Sequence, residues 1–202
     1  YINLGGGLET GKWNHSDFAI INSQLANIKN KGWDGICFDI EVCSQDVTVN
    51  DFSDCFAKCK QAGLSVLVTM SHLSPYECTS VGQGSDFVNS WIQDTNIDYI
   101  SPQLYGPAGN VLEPSDLSIF KSIESKIIPS IPTITDWENI KNLGINPAGY
   151  LLWTHDNTDL SANNNICGSD WSSAQKSCAS GKPIMCPDNK CPSGQSCYAF
   201  PC

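Results

Sequence analysis

Apolar residues in this chain keep two alternating rhythms. Short runs of strand length, rich in β-branched and aromatic side chains, lie at Ile2–Gly5, Ile36–Val42, Leu64–Met70, Tyr99–Leu104, Ile127–Ile131 and Gly149–Trp153. Between them the apolar positions repeat with helical spacing. Phe18, Ile21, Leu25 and Ile28 follow Ser16, which is placed to cap a helix. Phe52, Cys55, Phe56 and Cys59 fall at i, i+3, i+4 and i+7 after Asn50, and Gly63 stands where such a helix ends. Phe87, Val88, Trp91 and Ile92 form a third stripe. Leu117, Phe120 and Ile123 follow the helix-starting pair Pro114-Ser115, and Trp137, Ile140 and Leu143 end at Gly144.

Strand alternating with helix predicts an α/β fold with a parallel sheet, which needs cover on both faces or closure into a barrel. Polar residues at the strand ends favour the barrel, where the C-terminal strand ends carry the chemistry. Six strands are read where a (β/α)8 TIM barrel has eight, so the expected fold is a barrel of that type, incomplete at six βα units. Six strands alone would leave costly unpaired edges. A cleaved N-terminal fragment or a second chain completing the barrel is therefore expected as a partner. The rhythm stops near Asn163, which divides the chain into a barrel portion, 1–162, and a Cys-rich tail, 163–202.

Composition narrows the functions. The chain of 202 residues carries a net charge of −10, and all eleven basic residues are Lys. Without the bidentate guanidinium of Arg, a nucleic-acid partner is not expected. No apolar run approaches the length of a membrane span, so no membrane partner is expected either, and a targeting segment would have to lie upstream. Eleven Cys is far above ordinary usage, and six of them (Cys167, Cys178, Cys186, Cys191, Cys197 and Cys202) crowd the tail. Their C-x4-C-x5-C-x4-C spacing lacks the paired short loops and His of zinc sites, so a disulfide framework and a secreted, extracellular protein are expected. The sequon Asn14-His15-Ser16 fits that reading. The odd count leaves a thiol unpaired, with Cys37 the candidate. No metal or other cofactor is expected; His72 and His155 fall near strand ends but match no ligand spacing.

The stretch Asp34-Gly-Ile-Cys-Phe-Asp-Ile-Glu-Val42 stands out because buried strands avoid charge. Alternation along a strand puts Cys37, Asp39 and Glu41 on one face and Ile36, Phe38, Ile40 and Val42 on the other. Two carboxylates sharing one face raise the pKa of one of them by like-charge repulsion, the condition for a general acid.

The motif resembles the D-G-x-D-x-D-x-E signature of glycoside hydrolase family 18, the chitinases and chitinase-like proteins, through Asp34, Gly35, Asp39 and Glu41. The ending Phe-Asp-Ile-Glu looks most like the class III chitinases. Further segments resemble family landmarks in order: "INLGGG" with Asn3 and Gly6, "QLYG" with Gln103 and Tyr105, and "GYLLWTHDN" with Trp153. The resemblance covers roughly residues 1 to 160. It implies a retaining hydrolase of β-1,4-linked N-acetylglucosamine polymers, such as chitin, in which the substrate's own N-acetyl oxygen attacks. By the same resemblance Glu41 is the general acid/base, Asp39 steadies the N-acetyl group as it becomes an oxazolinium ion, and Tyr105 hydrogen-bonds that group. Gln103, Trp153, Met70 and Gly6 are implied as substrate-binding residues. Cys37 departs from the family's Asp and deprives Asp39 of a proton-sharing partner. Two rivals to the enzyme stand beside it: a lectin-like chitin-binding protein without turnover, and an extracellular structural protein linked through an unpaired Cys.

Overall fold

In a computed structural model, the described residues are 1–78, 84–106, 109, 111–140 and 143–153, with the backbone of two strands at 184–185 and 196–199. The elements are β1 (Ile2–Gly5), α1 (His15–Asn30), β2 (Gly35–Asp39), α2 (Val49–Gln61), β3 (Ser65–Ser71), α3 (Gly84–Gln93), β4 (Tyr99–Gln103), β5 (Ser130–Ile131), α4 (Trp137–Ile140), β6 (Gly149–Leu152), β7 (Ile184–Met185) and β8 (Ser196–Ala199). Strands β1 to β6 are parallel and follow chain order, as expected of an incomplete (β/α) barrel-type chain. The chain divides into two compact units, Tyr1–Pro102 and Gln103–Cys202.

In the first unit β1, β2 and β3 run side by side, with Ile36 between Ile2 and Val66, Phe38 between Leu4 and Val68, and Asp39 between Gly5 and Thr69. Every residue of β2 is buried, which is why its apolar run is nearly continuous rather than alternating. Ile36 and Phe38 face the helices. Phe38 packs on Trp13 at 5.7 Å and on Phe56 of α2 at 4.9 Å. Phe52 of α2 meets Trp13, Phe18 of α1, and Phe87 and Trp91 of α3. This aromatic cluster is the core of the unit, and it consists of the residues that the helical stripes place inward. At the opposite end of the strands Asp98 accepts from Lys60 Nζ (2.7 and 2.8 Å) and from the Val66 N–H (2.8 Å), tying α2, β3 and the start of β4 together.

Helix starts lie upstream of the expected residues. Asn14, not Ser16, caps α1, and Thr48, not Asn50, caps α2; each forms a capping box with an Asp three residues on, Asp17 and Asp51. A capping box satisfies two backbone N–H groups at once, and that decides the first turn. Gly63, at a φ of +73°, ends α2 as read. The segment around Leu117, Phe120 and Ile123 is a 3-10 helix, Ser118–Lys126, kinked at Ile123. The Trp137 helix closes after one turn, and the strand read from Ile127 is confined to Ser130–Ile131.

The tail supplies backbone to the second unit: β8 pairs in parallel with β6, and β7 pairs antiparallel with β8. The six tail cysteines and His155 lie outside the residues whose side chains are described. Elsewhere Cys43 and Cys78 form a disulfide. Cys37, Cys55 and Cys59 are free and buried, so none of these three is presented to another chain. Among the described residues no helix is long and apolar enough to cross a membrane.

Candidate active site

The expected strand through Val42 ends at Asp39, and the reason lies in its hydrogen bonds. The last ladder bond to β3 is Ile40 N–H to Thr69 O, 2.8 Å. Beyond it two other segments take over the backbone. Glu77 N–H donates to Glu41 O (3.0 Å) and Cys43 N–H to Glu77 O (3.0 Å), while on the other side Trp13 N–H donates to Val42 O (2.9 Å) and Ser44 N–H to Trp13 O (2.7 Å). Val42 and Glu77 are bridged in parallel, so Glu41 lies beside Tyr76 and Cys43 beside Cys78, where the disulfide closes the arrangement. A turn at Ser71–Ser74, with His72 at a φ of +43°, brings the chain from β3 into this position.

Asp39 is buried, at 8% exposure, and shares its face of the sheet with Thr69 and the Gly5 position. Its carbonyl accepts from Gly6 N–H (3.0 Å) and from the Trp13 indole N–H (2.8 Å), so the carboxylate is carried on a doubly anchored backbone. The Gly5–Gly7 turn lies against both acids. At Gly5 (φ +93°) a Cβ would meet the Asp39 carbonyl and the Trp13 ring. At Gly6 the Cβ position is 3.7 Å from Asp39 Oδ2, and at Gly7 it is 2.8 Å from Glu41 Oε2 and 2.6 Å from the Tyr76 hydroxyl. Gly6, named for its place in a motif, thus sits over Asp39. Met70 does not join these residues. It is fully buried, and the register of β3 puts it with Val66 and Val68 on the helix-facing side; Thr69 is the β3 residue on the side of Asp39.

Cys37 lies two residues before Asp39 on the same face, at 4% exposure. Burial, and then the Asp39 charge, pushes its thiol well above the ordinary cysteine range, so it stays neutral. Tyr76 was not marked by any sequence motif. Its hydroxyl donates to Gly7 O at 2.7 Å, and burial followed by the charges of Glu41, Glu77 and Asp39 raises its pKa above that of a free phenol. The signal that could have located it is the pair Cys43 and Cys78, each two residues beyond Glu41 and Tyr76, but disulfide pairing is not readable from spacing.

In the second unit, Gln103 ends β4 and is buried beside Ser130 of β5. Tyr105 and Trp153 are brought together, stacked with ring centroids 5.6 Å apart at 15°. Trp153 is 42% exposed, so it presents an aromatic surface rather than filling core. Glu113 also belongs here: its N–H donates to Leu104 O (2.9 Å), and its carboxylate lies against Gly106.

No protein-family model and no curated protein matches the chain, so the likeness to family 18 rests on its motif residues. Among solved structures the chain is similar to the catalytic domain of a mannanase from Streptomyces sp. SirexAA-E, a glycoside hydrolase. That match has 14% identity over 89% of this chain and 73% of the other, with a TM-score of 0.38.

Proposed function

We propose that the protein is a secreted glycosidase that cleaves β-1,4-linked N-acetylglucosamine polymers with retention, by substrate assistance. The observation that carries this reading is the placement of Asp39 at the end of a parallel strand and Glu41 just past it, with side-chain-free glycines against both carboxylates. In this reading Glu41 protonates the leaving oxygen and then activates water. Asp39, held by its buried backbone, stabilises the charge that develops on the N-acetyl nitrogen. In the second unit, Gln103 offers a hydrogen-bonding group and the Tyr105–Trp153 pair a stacking surface of the kind a sugar takes. Secretion is supported by the Cys43–Cys78 disulfide and by the exposed Asn14 of the sequon.

The test is hydrolysis of N-acetylchitooligosaccharides by wild type and by Glu41→Gln. The wild type releases β-anomeric product, seen by NMR before mutarotation, and the variant loses about 10²–10⁴-fold in rate. Release of α-anomeric product, or a rate unchanged in the variant, sinks the mechanism. A second reading, sugar binding without turnover, is favoured by Cys37: a neutral buried thiol cannot share a proton with Asp39 as a carboxyl would. Binding of the same oligosaccharides by the wild type with no hydrolysis selects it.

A further inference from the structure

We infer that Tyr76 is a sugar-ring platform beside the acid pair, a specificity-determining residue that no motif announces; the inference rests on the glycosidase reading above. Three observations converge on it. First, Tyr76 is placed with unusual care for a loop residue. Backbone pairing of Val42 with Glu77 sets it alongside Glu41, and the Cys43–Cys78 disulfide locks that pairing two residues further on. Second, its hydroxyl is already committed to Gly7 O at 2.7 Å, which fixes the ring instead of leaving it to rotate. Third, the residue is nevertheless 48% exposed, and Leu8, next to Gly7, is 75% exposed. A fixed, half-exposed phenol and an exposed Leu therefore flank the turn whose Gly7 touches Glu41 and Tyr76 together.

An aromatic ring whose polar tip is satisfied by protein offers its apolar face to the ligand. The C–H face of a pyranose is the complementary surface. A ring stacked there would put its glycosidic oxygen next to Glu41, the residue read as the proton donor. The hydroxyl itself takes no part in the chemistry; its bond to Gly7 holds the platform still.

The experiment measures binding of chitotetraose, cellotetraose and mannotetraose by calorimetry in the Glu41→Gln background, with Tyr76→Phe and Tyr76→Ala added, and kcat and KM for the same Tyr76 variants in the active protein. Loss of the ring in Tyr76→Ala is expected to weaken binding about five- to tenfold and to raise KM while kcat changes little. Tyr76→Phe, which keeps the ring but frees its tip, is expected to lose clearly less than Tyr76→Ala, about two- to threefold. Unchanged affinity in Tyr76→Ala overturns the platform. So does an equal loss in Tyr76→Phe, which would assign the effect to the hydroxyl bond, and so does failure to bind any of the three sugars. Binding of cellotetraose or mannotetraose but not chitotetraose, weakened by Tyr76→Ala, keeps the platform and sinks the N-acetylglucosamine reading. Thermal melts of each variant separate loss of fold from loss of binding.

Discussion

The two faces of strand β2 are built to different rules. On one, Ile36 and Phe38 are fully buried, and Phe38 stacks on Trp13 and meets Phe56 edge to face, while Phe52 meets Trp13 edge to face. On the other, Cys37 and Asp39 look across at Asn3, the bare Gly5 position, Leu67 and Thr69, and the chain immediately beyond carries Glu41. The first face is filled by aromatic side chains, and the second ends in acids that lie against a run of glycines. The lesson is a division of labour across a single strand: packing energy is collected on the helix side so that the buried Asp39 carboxylate can be tolerated on the other.

That division can be broken experimentally. The largest effect expected is on the acid face: Glu41→Gln lowers turnover about 10²–10⁴-fold while the melting temperature stays near that of the wild type. A melt lowered in proportion would mean that the acid is structural. On the helix face Phe52→Ala should cost about 3–5 kcal/mol in urea unfolding, with the folded fraction retaining its turnover. Loss of turnover per folded molecule would show that the faces are coupled.

Gly5→Ala tests the joint between the faces, since a Cβ there meets the Asp39 carbonyl and the Trp13 indole at a φ of +93°. We expect about 2–3 kcal/mol of destabilisation, from backbone strain and lost packing together. Alkaline pH supplies a smaller, graded effect. Cys37 is pushed upward by burial and by Asp39, so the folded state keeps a proton that the unfolded chain releases near pH 9. Above that pH the unfolded state binds fewer protons, and stability falls by about 1.4 kcal/mol per pH unit for the thiol. Cys37→Ala should flatten the urea-derived slope between pH 9 and 10, and an unaltered slope would contradict the burial. Smallest in stability is Gly7→Ala, whose Cβ meets first the ends of the Glu41 and Tyr76 side chains. Under about 1 kcal/mol should be lost while turnover drops roughly tenfold through displaced side chains.

Much of this division was legible in the sequence, because it is written in periodicity. The i, i+2 placement of Cys37 and Asp39 against Ile36 and Phe38 is the register observed, and the helical stripes at Phe18 and Phe52 are the ones that pack. What periodicity could not give was where elements stop. Strand β2 ends at Asp39 because the segments holding Trp13 and Glu77 outcompete β3 for the next backbone groups, and both are remote in sequence. The same limit explains Met70, which lies close to the acids along the sheet but on the wrong parity. Tyr76 was invisible for a third reason: its position depends on a disulfide and a two-residue bridge, neither of which leaves a local pattern.

The three glycines at positions 5 to 7 are bare for different reasons: a carbonyl and an indole crowd Gly5, a φ of +135° beside the Asp39 carboxylate sets Gly6, and a carboxylate with a phenol crowds Gly7. Their run is a cast of the acid site, taken in backbone. For anyone building a variant library to redirect this protein to another sugar, positions 5 to 7 are best left constant. Leu8, exposed beside that run, and Tyr76, half-exposed against Glu41, are where diversity would change what the sugar touches.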